Sequence, residues 1–298
     1  RNQLLPDILA PKCEEQGNDM TPILLDGKKL AGEIEIELKQ RVGHVVASSG
    51  IQPVLATILV GSDPSSKIYV NMKGNACNRV GLGTKKVELA ENTTTEELLC
   101  VIDELNADET IFGILLQHPV PKQIDERLCF NRISPHKDVD GVTALGFGTM
   151  ALGEEAFVSA TPGGIIKLLK HYAIPLQGRN AVVIGRSAIL GKPVAMLLLN
   201  ENATVTICHS KTENLGEIVA EADIVVAAIG KPEFIKSTWI KEGAVIVDAG
   251  YHPGGIGDVE KSAYAKSSAY TPVPGGVGPM TIATLMCQTV ESAEKRLM

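Results

Sequence analysis

The stretch Asn180–Pro193, NAVVIGRSAILGKP, decides the fold. Its opening residues form a short apolar run rich in β-branched side chains, which favours a buried strand. Gly185 then allows a tight turn. Gly191 allows close backbone approach just before a helix predicted over Lys192–Asn200. The first N–H groups of such a helix point into the turn and suit a phosphate. Ser187 stands where the second glycine of a G-x-G-x-x-G pattern would be, so the turn reads as a dinucleotide site of altered form. An ordinary β-α turn can carry the same glycines, and the stretch alone does not separate the two.

The next predicted strand, Thr204–Cys208, bears on the cofactor. NAD-binding sheets tend to end this strand in an acid that bonds the ribose 2′-hydroxyl. Here His209, Ser210, Lys211 and Thr212 follow, with no acid. Hydroxyls and a cation favour a 2′-phosphate, and Arg186 offers a bidentate clamp, so NADP is expected over NAD. The plainer alternatives are a surface arginine and a solvated loop that caps the following helix, predicted over Thr212–Ala220.

Working outward, Asp223–Ile229 and Ala244–Asp248 are further strands, Pro162–His171 a helix and Pro279–Leu297 a long final helix. Upstream, Asp26–Val46 carries an apolar stripe of helical period. Strands are predicted at Pro53–Val60, Thr84–Leu89 and Ile111–Leu116, with helices at about Ser65–Val80 and Thr95–Asn106 between them. This alternation implies a second parallel sheet. His118–Ser159 reads as a loop-rich passage. Two doubly wound α/β domains result, assigned to 20–143 plus 279–298 and to 144–278. Residues 1–19 fit neither and read as an extension before a natural start at Met20, or else as a genuine mobile arm.

A formal charge of −7 argues against a general nucleic-acid partner. The longest apolar runs fall short of the ~20 residues that span a bilayer. Six scattered cysteines without a C-x-x-C pair fit reduced thiols in the cytoplasm, and the six histidines show no metal-binding spacing.

Four segments carry candidate chemistry. In SSKIYVNMKGNAC, Tyr69 and Lys73 share a helix face; a partly dried lysine there can exchange protons, although the spacing alone fits a solvated lysine beside a half-buried tyrosine better. The Y-x-x-x-K spacing also occurs in short-chain dehydrogenases, but there it follows the nucleotide turn within one sheet. Gln117 closes a strand at the carboxyl end, where α/β ligands bind. KDVDG, Lys137–Gly141, holds Asp138 and Asp140 in a tight turn; either can recognise a donor-rich ring or simply shape the turn. PVPGGVGPMT, Pro272–Thr281, is a stiff loop whose backbone suits a flat ligand.

Taken in order, the Tyr69–Lys73 helix, GILLQHPVP, KDVDG, GRSAILGKP, ATVTICHSKT and PVPGGVGPMT resemble the bifunctional methylenetetrahydrofolate dehydrogenase/methenyltetrahydrofolate cyclohydrolase family of the bacterial FolD type. The resemblance runs from about Met20 to the C-terminus. It implies a Rossmann-type NADP-binding second domain, a cleft between the domains, and two activities of one-carbon metabolism that feed purine biosynthesis. Lys73 would be the key catalytic residue, with Gln117 assisting and Tyr69 packing on the folate. Ser66, Asp140, Pro272, Gly276 and Thr281 would complete the folate side. Gly185, Arg186, Ser187, Ser210 and Ile229 would hold NADP. A homodimer is implied as well. A monofunctional dehydrogenase, a silent folate-binding scaffold and a shikimate-dehydrogenase-like enzyme are the rival readings. The last leaves KDVDG and PVPGGVGPMT unexplained.

Overall fold

The computed structural model describes residues 21–298, so the expectation for 1–19 lies outside the described residues. Strand β1 (Ile23–Leu24) leads into helix α1 (Gly27–Ser49). The Asp26 carboxylate accepts from the Lys29 amide at the start of α1, and Gly50 ends it in the left-handed region. Strand β2 (Val54–Val60), helix α2 (Pro64–Val80), strand β3 (Gly83–Leu89), helix α3 (Thr95–Ala107) and strand β4 (Ile111–Leu116) follow. A reciprocal capping box between Thr94 and Glu97 opens α3. The three strands pair in parallel in the order β3-β2-β4, as the alternating pattern predicts.

The passage read as loops holds two short helices, α4 (Glu126–Arg132) and α5 (Ala144–Ala151). The α5 sequence, ALGFGTMA, carries two glycines in eight residues, which masks a helix by composition. Asp125 and Thr143 supply the N-caps that start them.

Helix α6 (Ala160–His171), strand β5 (Asn180–Ile184), helix α7 (Gly191–Asn200), strand β6 (Thr204–Cys208), helix α8 (Leu215–Ala220), and strands β7 (Ile224–Ala227), β8 (Val245–Asp248) and β9 (Ala269–Tyr270) build the second unit. Helix α9 (Val277–Leu297) closes the chain. The second sheet has six parallel strands in the order β1-β9-β8-β7-β5-β6. Strand β1 was not anticipated: a two-residue pairing leaves no periodicity to read. It takes the start of the chain into the second sheet, although the sequence reading assigned it to the first domain. Helix α8 begins three residues later than expected, because the Thr212 hydroxyl accepts from the His209 amide and holds a turn instead.

Helices α1 and α9 tie the two sheets together. Leu25 and Leu30 pack with Met280 and Ala283 in the core of the second sheet. Further along the same helices, Leu38 and Val42 pack with Leu285, Met286 and Val290 against Leu55 and Leu115 of the first. Burial of these large aliphatic side chains stabilises the join by roughly 2 kcal/mol each.

Candidate active site

Lys73 lies in the third turn of α2, on the face one turn beyond Tyr69. Its Nζ donates to Oε1 of Gln117 at 3.0 Å. Gln117 is buried directly after β4, and its Nε2 donates to the His118 carbonyl at 2.8 Å, so the amide is held with its oxygen toward the lysine. Desolvation holds the Lys73 amine below the ordinary lysine range, and the nearby Asp140 charge opposes that effect. Asp140 responds in the opposite sense. Desolvation pushes its carboxyl up to about 6, while Lys73 pulls it down and Asp138 raises it further. A lysine with weakened proton affinity beside a carboxyl that titrates near neutrality is a site for proton transfer.

The KDVDG turn divides its charges by position. Lys137 is 1% exposed, and its Nζ donates to the carbonyls of Leu105, Asn106 and Asp108 at 2.7–3.0 Å. It thereby caps the C-terminus of α3. Asp138 is 2% exposed and accepts from the Val142 and Thr143 amides, each at 3.0 Å. Of the two aspartates, Asp138 therefore shapes the turn, and Asp140 is the one that acts electrostatically on Lys73. His118, next to Gln117, also bears on Asp140, and its Nδ1 meets Glu126 at 2.5 Å.

Ser66 is buried in the first turn of α2, with its amide donating to Asp63, and Tyr69 is 42% exposed. The Pro272–Gly276 loop is closed by the Gly276 amide on the Pro272 carbonyl and tied to α1 through the Lys28 amide on Gly275. The Thr281 hydroxyl meets that of Thr161 at 2.9 Å.

On the second sheet, register puts Ile184, Cys208 and Ala227 side by side at the carboxyl end. The turns after them therefore lie together: Gly185–Ser187, His209–Lys211 and Ala228–Gly230. Gly185 adopts φ 136°, and a Cβ there would stand 2.1 Å from the Ala228 carbonyl oxygen. A Cβ on Gly191 would stand 2.3 Å from the Gly185 oxygen, so both glycines are required by close approach. The Ser187 hydroxyl accepts from the Leu190 and Gly191 amides at 3.2 Å, which a second glycine would not do. Arg186, Ser187, Ser210 and Lys211 are exposed around this turn. The narrow backbone cradle and the exposed donors fit a phosphorylated dinucleotide.

Some contributors have no clear sequence signal. Ile189, inside the dinucleotide turn, packs against the core cluster that holds Ile58, Leu116 and Val142 of the first unit. The carboxyl ends of the two sheets therefore meet. Asp248 and Asp258, both buried beside the turns of β7 and β8, were also not singled out. Only the placement of Asp248 at a strand end hinted at it.

A glycine-bearing strand-to-helix turn on one parallel sheet, whose Ile189 packs on the core of the other, and a desolvated lysine on α2 beside that other sheet define a nucleotide-dependent α/β enzyme. Comparison with known proteins narrows the class. Residues 25–140 match the catalytic domain of tetrahydrofolate dehydrogenase/cyclohydrolase, and residues 159–297 match its NAD(P)-binding domain. The chain belongs to this family. It is 66% identical over 278 residues to the bifunctional protein FolD of Acidobacterium capsulatum, covering 93% of this chain and 99% of that protein. The FolD of Cellvibrio japonicus is 63% identical, covering 93% and 100%. Among solved structures, the bifunctional FolD of Campylobacter jejuni superposes with a TM-score of 0.91 at 44% identity, covering 93% and 100%. A FolD from Trypanosoma brucei, complexed with NADP cofactor and inhibitor, gives 0.88 at 34% identity, covering 92% and 98%.

Proposed function

We propose that the chain oxidises 5,10-methylenetetrahydrofolate to the 5,10-methenyl form with NADP+ and hydrolyses that product to 10-formyltetrahydrofolate, in one-carbon metabolism that feeds purine biosynthesis. The observation that carries the reading is the Lys73–Gln117 contact, with Asp140 beside it. It belongs to a unit whose core receives Ile189 from the dinucleotide turn.

NADP+, when bound, supplies the hydride acceptor. Gly185, Arg186, Ser187, Ser210 and Ile229 would hold it, and the chain's work in this step would be to align it with the one-carbon unit. In hydrolysis, water adds to the methenyl carbon and gives one proton to the neutral Lys73 amine. The remaining hydroxyl proton moves to N5 as the bond from carbon to N5 breaks, leaving the formyl group on N10. Gln117 orients the amine. Asp140 accepts from pterin ring N–H and amino donors. Tyr69 packs on the folate, and Ser66, Pro272, Gly276 and Thr281 border it.

The assigned division is 20–143 plus 279–298 for the folate-binding domain and 144–278 for the Rossmann NADP-binding domain, with the catalytic cleft between them. Exposed Leu145 on α5, Leu152 at its C-cap and Leu199 on α7 support a homodimer through the cofactor domain. No described helix is long and apolar enough to cross a membrane. Free thiols at all five described cysteines accord with a cytoplasmic enzyme, and the net charge of −7 with the absence of nucleic-acid partners.

The test follows absorbance of the methenyl product when the full chain meets methylenetetrahydrofolate with NADP+ and then with NAD+, and assays the formyl product. Methenyl formation with NADP+ followed by formyl product is expected. Methenyl product that accumulates at its uncatalysed hydrolysis rate would reduce the reading to a monofunctional dehydrogenase.

A further inference from the structure

Beside the dinucleotide turn lies a polar network that the reaction itself does not use. Asp258 is fully buried. Its Oδ2 accepts from two successive backbone amides, Ile229 at 2.7 Å and Gly230 at 2.8 Å. Its Oδ1 meets Nε2 of His252 at 2.8 Å. A second buried carboxylate, Asp248, holds this one in place: its Oδ1 accepts from the Asp258 and Gly250 amides, and its Oδ2 from the Val259 amide and the Tyr264 hydroxyl. Space for the pair comes from Gly250 and Gly257, where a Cβ would stand 2.3 Å and 2.0 Å from the Asp258 and Asp248 carboxylate oxygens.

The consequence follows from peptide planarity. The Ile229 N–H and the Ala228 C=O belong to one trans peptide and point in opposite directions. With the N–H fixed on Asp258, the carbonyl is driven the other way, and it is this oxygen that a Cβ on Gly185 would strike. The Gly230 amide fixes the next peptide in the same manner. Two buried carboxylates and about seven bonds are more than a surface loop needs, and each buried carboxylate requires its partners to offset desolvation.

We propose that Asp258 is a positioning residue for the cofactor: by holding the Ile229 and Gly230 amides it fixes the peptides against which the Gly185 turn is seated. His252 fixes the second carboxylate oxygen, so that the pair stays in one orientation. The inference rests on the reading of Ile229 as a cofactor contact.

The experiment compares Asp258→Ala, Asp258→Asn and Ile229→Ala in the full chain. Three quantities are read: the NADP+ Kd by calorimetry, amide hydrogen exchange over residues 228–231, and cofactor-free hydrolysis of methenyltetrahydrofolate. Asp258→Ala is expected to raise the Kd about tenfold and speed exchange in that segment by at least as much, while hydrolysis changes by less than about threefold. Asp258→Asn is expected to restore the Kd to within about threefold, since its oxygen can still accept both amides. An alanine variant with unchanged Kd and Ile229→Ala with a raised one overturns the proposal alone. An unchanged Kd in Ile229→Ala removes the reading of that residue, and the proposal with it. Equal loss of binding and hydrolysis in Asp258→Ala assigns the network to general stability and also overturns it.

Discussion

The Lys73 amine and the Gln117 amide oxygen are 3.0 Å apart, and the amide is held in that orientation by its own bond to the His118 carbonyl. A neutral acceptor at this distance orients the amine without fixing its charge. Gln117→Glu would place a negative charge there and favour the protonated lysine. The lysine pKa then rises, and a base that works as the free amine needs a higher pH. The acid limb of the hydrolysis profile is expected to move up by about one to two pH units. A pH–rate series on the variant and the parent measures this. An unmoved limb would remove Lys73 as the titrating base.

Replacement of the amine itself separates the two activities. Lys73→Met keeps the helix and most of the side-chain volume but removes the proton acceptor. Hydrolysis is expected to fall by about 10²–10⁴-fold, the usual contribution of a positioned acid–base group. The NADP+ Kd should stay within about twofold, because Lys73 is not among the residues assigned to the cofactor. Full hydrolytic turnover in the variant would end the assignment.

Asp140 yields a prediction in pH. Its carboxyl is pushed up to about 6 by desolvation. In the proposed role the ionised form accepts from pterin donors and the protonated form does so poorly. Folate affinity is therefore expected to be level above pH 7 and to weaken by about tenfold per unit below pH 6. In Asp140→Asn the affinity should be low throughout and lose this slope. Folate binding titrated from pH 5 to 8 reads both.

Much of this site is legible in the sequence, because strand ends in a parallel sheet are marked by composition. Ile111–Leu116 and Thr204–Cys208 fall where the apolar runs stop, and polar residues, Gln117 and His209, follow both. Residue type and spacing alone did not separate Asp138 from Asp140, both acids in one tight turn; only the family resemblance singled out Asp140, and backbone geometry gives Asp138 the Val142 and Thr143 amides. The Asp258 network was not legible at all. Its partners Ile229, Gly230 and His252 become neighbours only when the turns after β7 and β8 fold back on each other.

In the proposed reading, cofactor choice is set where β6 ends. No acid follows Cys208, and exposed Ser210 and Lys211 border the turn that bears Arg186. Ser210→Asp would put a carboxylate where the 2′-phosphate is expected. NADP+ kcat/KM should drop by at least about tenfold, with NAD+ affected much less. Initial rates with the two cofactors decide it. Equal loss with both would place the 2′-phosphate elsewhere.

Lys137 is the last residue with a clear consequence. It is a buried cation with no ion-paired carboxylate among the described residues; three carbonyls at the end of α3 accept its hydrogen bonds. Desolvation lowers its proton affinity, so part of what the bonds contribute is offset. Lys137→Met fills similar volume but leaves those carbonyls without a donor, at a cost of about 2 kcal/mol. The loss falls on the segment that carries Asp140, three residues on. The urea midpoint is therefore expected to drop, and folate affinity to weaken in the fraction that remains folded, while NADP+ affinity holds. A variant as stable as the parent would show that the α3 carbonyls find water once the amine is gone.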